Sequence, residues 1–114
     1  MTQRSFIVII GEYTPELTHV QDIIEASNDA EINFFSLPNT GEKDTVERIN
    51  ERLFVHHYAP LNDVEMQAKQ YIRDIIALGA KNHYFCKSKS KHYNNLLDYI
   101  MRGVKMYGIT YNEL

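Results

Sequence analysis

The sequence predicts an α/β fold built on a parallel sheet, and three features of the 114-residue chain lead to that prediction. Short apolar runs alternate with segments in which apolar residues recur at helical spacing. Most of the helical segments begin with residue types that cap helices. The connections between the segments are short. Because parallel strands need crossover connections, strict alternation of strand and helix favours a parallel sheet.

The first apolar run predicts the central strand of that sheet. Residues 5–11, Ser-Phe-Ile-Val-Ile-Ile-Gly, do not alternate with polar residues, which is typical of a strand buried on both faces. Thr14 and Pro15 then supply a helix cap and a proline at the first helical position, and we expect this helix to end at Ser27. Residues 32–37 predict the second strand.

Capping residues predict three further helices. Asp44 with Glu47 and Asn62 with Glu65 have the spacing of capping boxes, and Ser90 can cap the last helix. The predicted bounds are a helix over residues 44–53, a strand over 54–58, a helix over 62–78 that ends at Gly79, a strand over 83–86, a helix over 90–101 that ends at Gly103, and a fifth strand over 104–109.

These elements predict one domain over residues 1–114. Right-handed crossovers place helices on both faces of the sheet, so we expect a single-domain Rossmann-like three-layer sandwich with a five-stranded parallel sheet. Ligands in such sheets bind beyond the carboxyl ends of the strands, near the point where the strand order reverses. Four loops qualify for that position, namely residues 11–14, 37–43, 58–62 and 87–91.

Composition narrows the classes of partner and location. The net charge of −3 gives no reason to expect a nucleic-acid surface, although the basic residues concentrate after residue 80. No apolar stretch approaches the roughly 20 residues that cross a bilayer, so we expect no membrane span. The single cysteine, Cys86, cannot form an internal disulfide, which fits a reducing cytoplasm.

The densest candidate for ligand binding is the run from Lys87 to His92. It joins a strand end to a helix start, where free N–H groups and the helix dipole favour an anion. A solvated loop with a serine cap explains the same residues. Gly11 after the central strand permits close approach of a ligand, or simply ends the strand. The chain contains neither G-x-G-x-x-G nor G-x-x-x-x-G-K-[ST], which disfavours conventional NAD and ATP chemistry.

The histidines do not predict a metal site. His56 and His57 are neighbours in a predicted strand and must point to opposite faces, so they cannot both bind one ion. The chain also contains no G-x-S-x-G motif. We therefore assign no metal ligand, no cofactor and no catalytic residue.

Several loops are similar to those of a known superfamily. Val8-Ile9-Ile10-Gly11-Glu12-Tyr13 is similar to a V-x-G-[GS]-R-[DE] turn, and Asn39-Thr40-Gly41-Glu42-Lys43-Asp44 shares its Gly and Asp with a G-G-A-x-G-x-D loop. Arg73-Asp74 takes the place of an R-N pair, and Ser88-Lys89-Ser90-Lys91 takes that of an S-x-G-T turn. On these motifs the chain resembles the SLOG superfamily, named for the Smf/DprA and LOG proteins, and particularly its small YspA-like branch.

The resemblance implies a pocket for a nucleotide-derived ligand at the strand ends. LOG enzymes hydrolyse a phosphoribosyl bond with a P-G-G-x-G-T-x-x-E motif, which this chain lacks, so binding without catalysis is the activity we expect. The residues that the resemblance and the basic loop assign to the pocket are Gly11, Glu12, Tyr13, Gly41, Asp44, Arg73, Ser88, Lys89, Ser90 and Lys91.

Three functional hypotheses follow. The first is a non-enzymatic module that binds a nucleotide-type or other phosphorylated ligand. The second is a scaffold that binds a protein, such as an accessory or inhibitor protein of a phage or mobile element, because bulky side chains replace the pocket glycines. A hydrolase of nucleotide derivatives that uses Glu12 or Asp44 is a weaker third. We also expect a homo-oligomer, because edge strands and the helix residues Tyr93, Tyr99 and Tyr107 need covering.

Overall fold

The computed structural model describes residues 5–14, 16, 20–27, 29–38 and 43–114. Within these residues it contains one six-stranded sheet and three helices. The elements in chain order are β1 (Phe6–Gly11), α1 (Gln21–Ala26), β2 (Glu31–Ser36), β3 (Thr45–Arg48), β4 (Leu53–His57), α2 (Val64–Leu78), β5 (Asn82–Phe85), α3 (Lys91–Met106) and β6 (Asn112–Glu113). The strands are ordered β3-β4-β2-β1-β5-β6 across the sheet.

The apolar run at the start of the chain forms the centre of the sheet, as predicted. β1 pairs in parallel with β2 on one side and with β5 on the other. Val8 and Ile10 contribute to the core under α2 and α3, whereas Ile7 and Ile9 contribute to a second core beside α1. Helices therefore cover both faces of the sheet, and this explains why β1 shows no polar alternation.

The prediction of an all-parallel, five-stranded sheet is wrong, because the sheet is mixed. Residues 44–53, predicted to be a helix, form β3, a turn and the first residue of β4, and β3 pairs antiparallel with β4. Asp44 does not cap a helix; its Oδ1 accepts from the N–H of Ala59 at 2.7 Å. Asn50 forms the turn, since its Oδ1 accepts from the N–H groups of Arg52 and Leu53. β3 carries the chain from the carboxyl edge of the sheet back to its amino edge, which is the role that the predicted helix would have had between β2 and β4.

The predicted fifth strand over residues 104–109 is also wrong. α3 continues through Gly103 to Met106, and the last strand is the two-residue β6. Gly103 does not end the helix. A Cβ atom at this position would lie 2.1 Å from Cδ1 of Ile72, so the glycine lets α3 pack directly against α2.

The other helix ends agree with the sequence only in part. Ser90 caps α3, as predicted, and Gly79 ends α2 with a φ of 66°. The cap of α2 is Asp63, whose side chain accepts from two backbone N–H groups, and not Asn62. Among the described residues the first predicted helix corresponds to α1, which ends with Ser27 as its C-cap, as predicted, and the assignment of Pro15 to its first position lies outside the described residues.

The strand order reverses between β1 and β5. From β1 the chain moves outward through β2 to β4 on one side, then crosses over through α2 to β5 on the other side. In open α/β sheets the carboxyl ends of the strands at such a reversal form the usual ligand site. The loop after Gly11 and the loop after Phe85 therefore border the position where a ligand is first expected. None of the helices in the described part of the chain has the length and apolar character that a bilayer crossing requires.

Candidate functional site

The two strand ends at the reversal point pack directly against each other. A Cβ atom at Gly11 would lie 2.8 Å from Cβ of Cys86, which is closer than two carbon atoms can pack. The absence of a side chain at Gly11 is therefore needed for contact between β1 and the residue that follows β5. Both residues are buried. This accounts for the glycine without a ligand.

The loop between β5 and α3 is closed by its own side chains. The N–H of Ser88 donates to Oδ1 of Asn94 at 2.9 Å, and Nδ2 of Asn94 donates to the carbonyl of Ser88 at 2.7 Å. The N–H of Ser90 donates to Oγ of Ser88, and the N–H of Tyr93 donates to Oγ of Ser90. The hydroxyl of Ser88 donates to a carboxylate oxygen of Glu12. Three N–H groups that an anion would use thus already have partners.

The lysines of the same loop remain at the surface. Lys87, Lys89 and Lys91 are all exposed, whereas Ser88 and Ser90 are half-buried. The carboxylate of Glu12 occupies the side of the loop that faces β1, where it would repel an incoming phosphate. The three lysines of the loop therefore remain accessible to an anion, but the carboxylate of Glu12 lies beside Ser88.

Other residues assigned to the pocket are not brought together with this loop. The ring of Tyr13 packs edge-on against Phe34 and His57, on the α1 side of the sheet. Arg73 lies on the outer surface of α2, where its Nε is 3.2 Å from Oδ1 of Asp74. Asp44 supports the loop after β4. Gly41 lies outside the described residues.

The two adjacent histidines face opposite sides of the sheet, as predicted. His56 stacks on Phe35, with ring centroids 4.4 Å apart, and its Nε2 is 2.9 Å from Oδ1 of Asn33. His57 instead lies 3.0 Å from a carboxylate oxygen of Glu47. Burial lowers the pKa of His56. In the described ranges, no cluster of three or more His, Cys, Asp or Glu side chains is arranged to hold a metal ion.

A small cleft lies at the carboxyl edge of the sheet, between the first turns of α2 and α3. Its volume of about 170 Å³ is below the roughly 300 Å³ at which ligand pockets begin. Gln67 on its wall is buried and fully engaged, since it accepts from Leu61 and donates to Ala59 and Gln70. The cleft therefore offers little space and no free buried donor from this side chain.

Among the described residues, a larger apolar concavity lies between the carboxyl-terminal halves of α2 and α3. We call it the α2–α3 groove; it has a volume of about 580 Å³ and is lined by Lys69, Ile72, Arg73, Ile76, Ala77, Gly103, Met106 and Tyr107. Met106 is 87% exposed and Tyr107 is 69% exposed, so the α3 side of the groove is open to solvent. The sequence prediction missed this groove, because it placed residues 104–109 in a strand.

A signal for the groove was nevertheless present in the sequence. Ile72 and Ile76 belong to the apolar stripe of α2, but the buried core under that helix uses Ala68, Tyr71 and Ile75, and Ile72 is only partly buried against it. The apolar stripe is wider than the sheet can cover, and its excess forms one wall of the groove.

The described residues define a small, layered α/β protein with a mixed sheet, an arrangement consistent with a Rossmann-like fold. Its reversal point is closed, and an open apolar groove lies between two of its described helices. No family model, curated protein or solved structure matches the chain. The resemblance to the SLOG superfamily therefore stays a prediction.

Proposed function

We propose that this protein is a non-enzymatic, Rossmann-like module that binds another protein through the α2–α3 groove. The single observation that carries the proposal is the exposed apolar surface of that groove, which ends at Met106 and Tyr107. Removing apolar surface from water is favourable by about 25 cal/mol per Å². A partner that covers these side chains would gain this free energy. Soluble proteins retain contiguous apolar patches mainly where they bind something.

The closed reversal point supports this choice over a nucleotide pocket. Gly11 leaves no space against Cys86, and the hydroxyl of Ser88 is bonded to Glu12. A phosphate would have to displace that carboxylate and compete for N–H groups that Asn94 and the two serines already satisfy. The groove requires no such rearrangement.

A site-specific cross-linking experiment tests the proposal. A photoreactive phenylalanine analogue replaces Met106 in the groove in one variant and Met66 in the other. Met66 is a matched control, because it is also a methionine on this helix pair and is 59% exposed, but it does not line the groove. In cells that make the protein, we expect one discrete adduct from position 106 that unlabelled wild-type protein suppresses and the Met106→Asp variant does not.

Identical adduct patterns from positions 106 and 66, or no adduct from position 106, would contradict the proposal. Thermal unfolding of both variants provides the folding control. Both side chains are exposed, so each midpoint should stay within a few degrees of the wild-type value.

Binding of a phosphorylated ligand is the second candidate, and the exposed lysines at positions 87, 89 and 91 favour it. A ligand present at 100 times its dissociation constant stabilises a protein by about 2.7 kcal/mol, which thermal-shift assays resolve. We expect a panel of nucleotides to shift the Glu12→Gln variant more than the wild type, because this change removes the carboxylate beside Ser88. No shift in either protein would eliminate this candidate.

A further inference from the structure

We infer that the α2–α3 groove takes an amphipathic helix whose flanking residues are acidic. This inference rests on the proposed protein-binding function and specifies the chemistry of the partner.

The dimensions of the groove suit a short helical contact. α2 and α3 both run from the carboxyl edge of the sheet to its amino edge, so they lie side by side in the same direction. Their close approach at Gly103 and Ile72 forms the floor of the groove. On α2 the lining residues extend from Lys69 to Ala77, about 12 Å along the helix axis. Anchors at positions i, i+4 and i+7 of a bound helix cover about 10 Å, which matches this length.

The side chains along the groove divide into an apolar floor and a basic rim. Ile72, Ile76 and Met106 supply the apolar contacts. Lys69 and Arg73 stand on the α2 side, and among the described residues that line the groove there is no carboxylate. Arg102, next to Gly103 on α3, is exposed, with its guanidinium 5.4 Å from the ring centre of Tyr99. Complementary charge on a partner would raise its association rate and select it over neutral helices.

The same charges disfavour a second copy of this chain in the groove. A two-fold dimer through the groove places the same basic rim on both sides of the interface, so Lys69 and Arg73 of one copy would lie near the cations of the other. Like charges in contact oppose association. Arg73 is partly neutralised by Asp74, but none of the described residues that line the groove is acidic. An acidic partner removes this conflict.

Selection from a displayed peptide library tests the inference. The library presents 18-residue helices with leucine at positions i, i+4, i+7 and i+11 and with all flanking positions randomised. Wild-type protein is the bait, and the Met106→Asp variant is used to remove sequences that bind elsewhere. We expect the retained peptides to contain at least about three times more Asp and Glu at flanking positions than the starting library. Against the Lys69→Glu variant this enrichment should disappear, whereas the control Lys43→Glu, remote from the groove, should preserve it.

Each other outcome overturns the inference in a distinguishable way. Retained peptides without acidic enrichment would refute the acidic partner. Recovery of no groove-dependent peptide would refute the helical occupant. Concentration-dependent dimerisation in light scattering that Met106→Asp abolishes would assign the groove to a second copy. The first two results leave the cross-linking result at position 106 unaffected, so the proposed function survives them, whereas a dimer formed through the groove would replace it.

Discussion

Replacing Gly103 with alanine should destabilise the protein, although alanine is the better helix former. In an exposed helix interior this change would gain about 1 kcal/mol. Here the new Cβ atom would lie 2.1 Å from Cδ1 and 2.9 Å from Cγ1 of Ile72, so the two helices must separate or the isoleucine must leave its position. Overpacking of this kind costs about 1–3 kcal/mol. The net expectation is a loss of about 1 kcal/mol in the free energy of unfolding.

A double-mutant cycle isolates the clash from other effects of the substitution. In an Ile72→Ala background the opposing atoms are absent, so Gly103→Ala should stabilise by about 1 kcal/mol. The coupling free energy between the two positions should then be about 2 kcal/mol, within the range for residues in contact. Urea unfolding of the four proteins, monitored by circular dichroism, measures it. If Gly103→Ala stabilises the wild-type background as much as the Ile72→Ala background, the close helix contact and the groove floor derived from it are wrong.

Three further predictions concern a cap, a thiol and the response to acid. Asp63→Ala should lower the free energy of unfolding by about 1 kcal/mol, because two N–H groups of α2 lose their acceptor. The control Asn62→Ala should have little effect. Equal losses for the two variants in urea unfolding would contradict the assignment of Asp63 as the cap. Burial raises the pKa of Cys86 to about 11, so iodoacetamide at pH 8 should label the native thiol at least about 100-fold more slowly than the unfolded one. Mass spectrometry measures both labelling rates, and comparable rates would contradict the burial of this thiol. Burial lowers the pKa of His56 and His83 below 6.5, so the unfolded state binds more protons and the free energy of unfolding should fall as the pH drops below 6.5. In unfolding experiments between pH 7.5 and pH 5, His83→Phe should reduce this pH dependence. An unchanged slope would exclude a role for His83.

The parts of the fold predicted correctly from sequence are those where burial alone determines structure. β1 is buried on both faces, and a continuous apolar run signals that directly. α2 and α3 have long apolar stripes, and serine at position 90 caps as expected. For β3 no such signal exists, because all four of its residues are exposed. Val46 and Ile49 are spaced as on a helix, but neither is buried, so their spacing carried no information about packing.

The candidate site was predicted less well than the fold, for a reason of the same kind. Sequence identifies residue types that can bind an anion, but it does not show which hydrogen-bonding groups are already used. Ser88 and Ser90 have the chemistry of a phosphate loop, and in the structure they satisfy neighbouring N–H groups. Glu12 was assigned to the ligand, and it accepts from the hydroxyl of Ser88. Arg73, assigned from order along the chain, lies on the outer surface of α2.

Basic residues near the two ends of α3 lie far apart along the helix. Lys87, Lys89 and Lys91 stand at the amino end of α3, and Arg102 lies eleven residues beyond Lys91, about 16 Å along the helix axis. Exposed charges at this separation are largely screened at physiological salt, where the Debye length is about 8 Å. The charges of the strand-end loop and those beside the α2–α3 groove therefore contribute little to each other's interactions. A partner whose binding is abolished by a charge reversal at Lys89 but unaffected by one at Lys69 would have to bind at the strand ends, and binding with the opposite sensitivity would have to involve the groove.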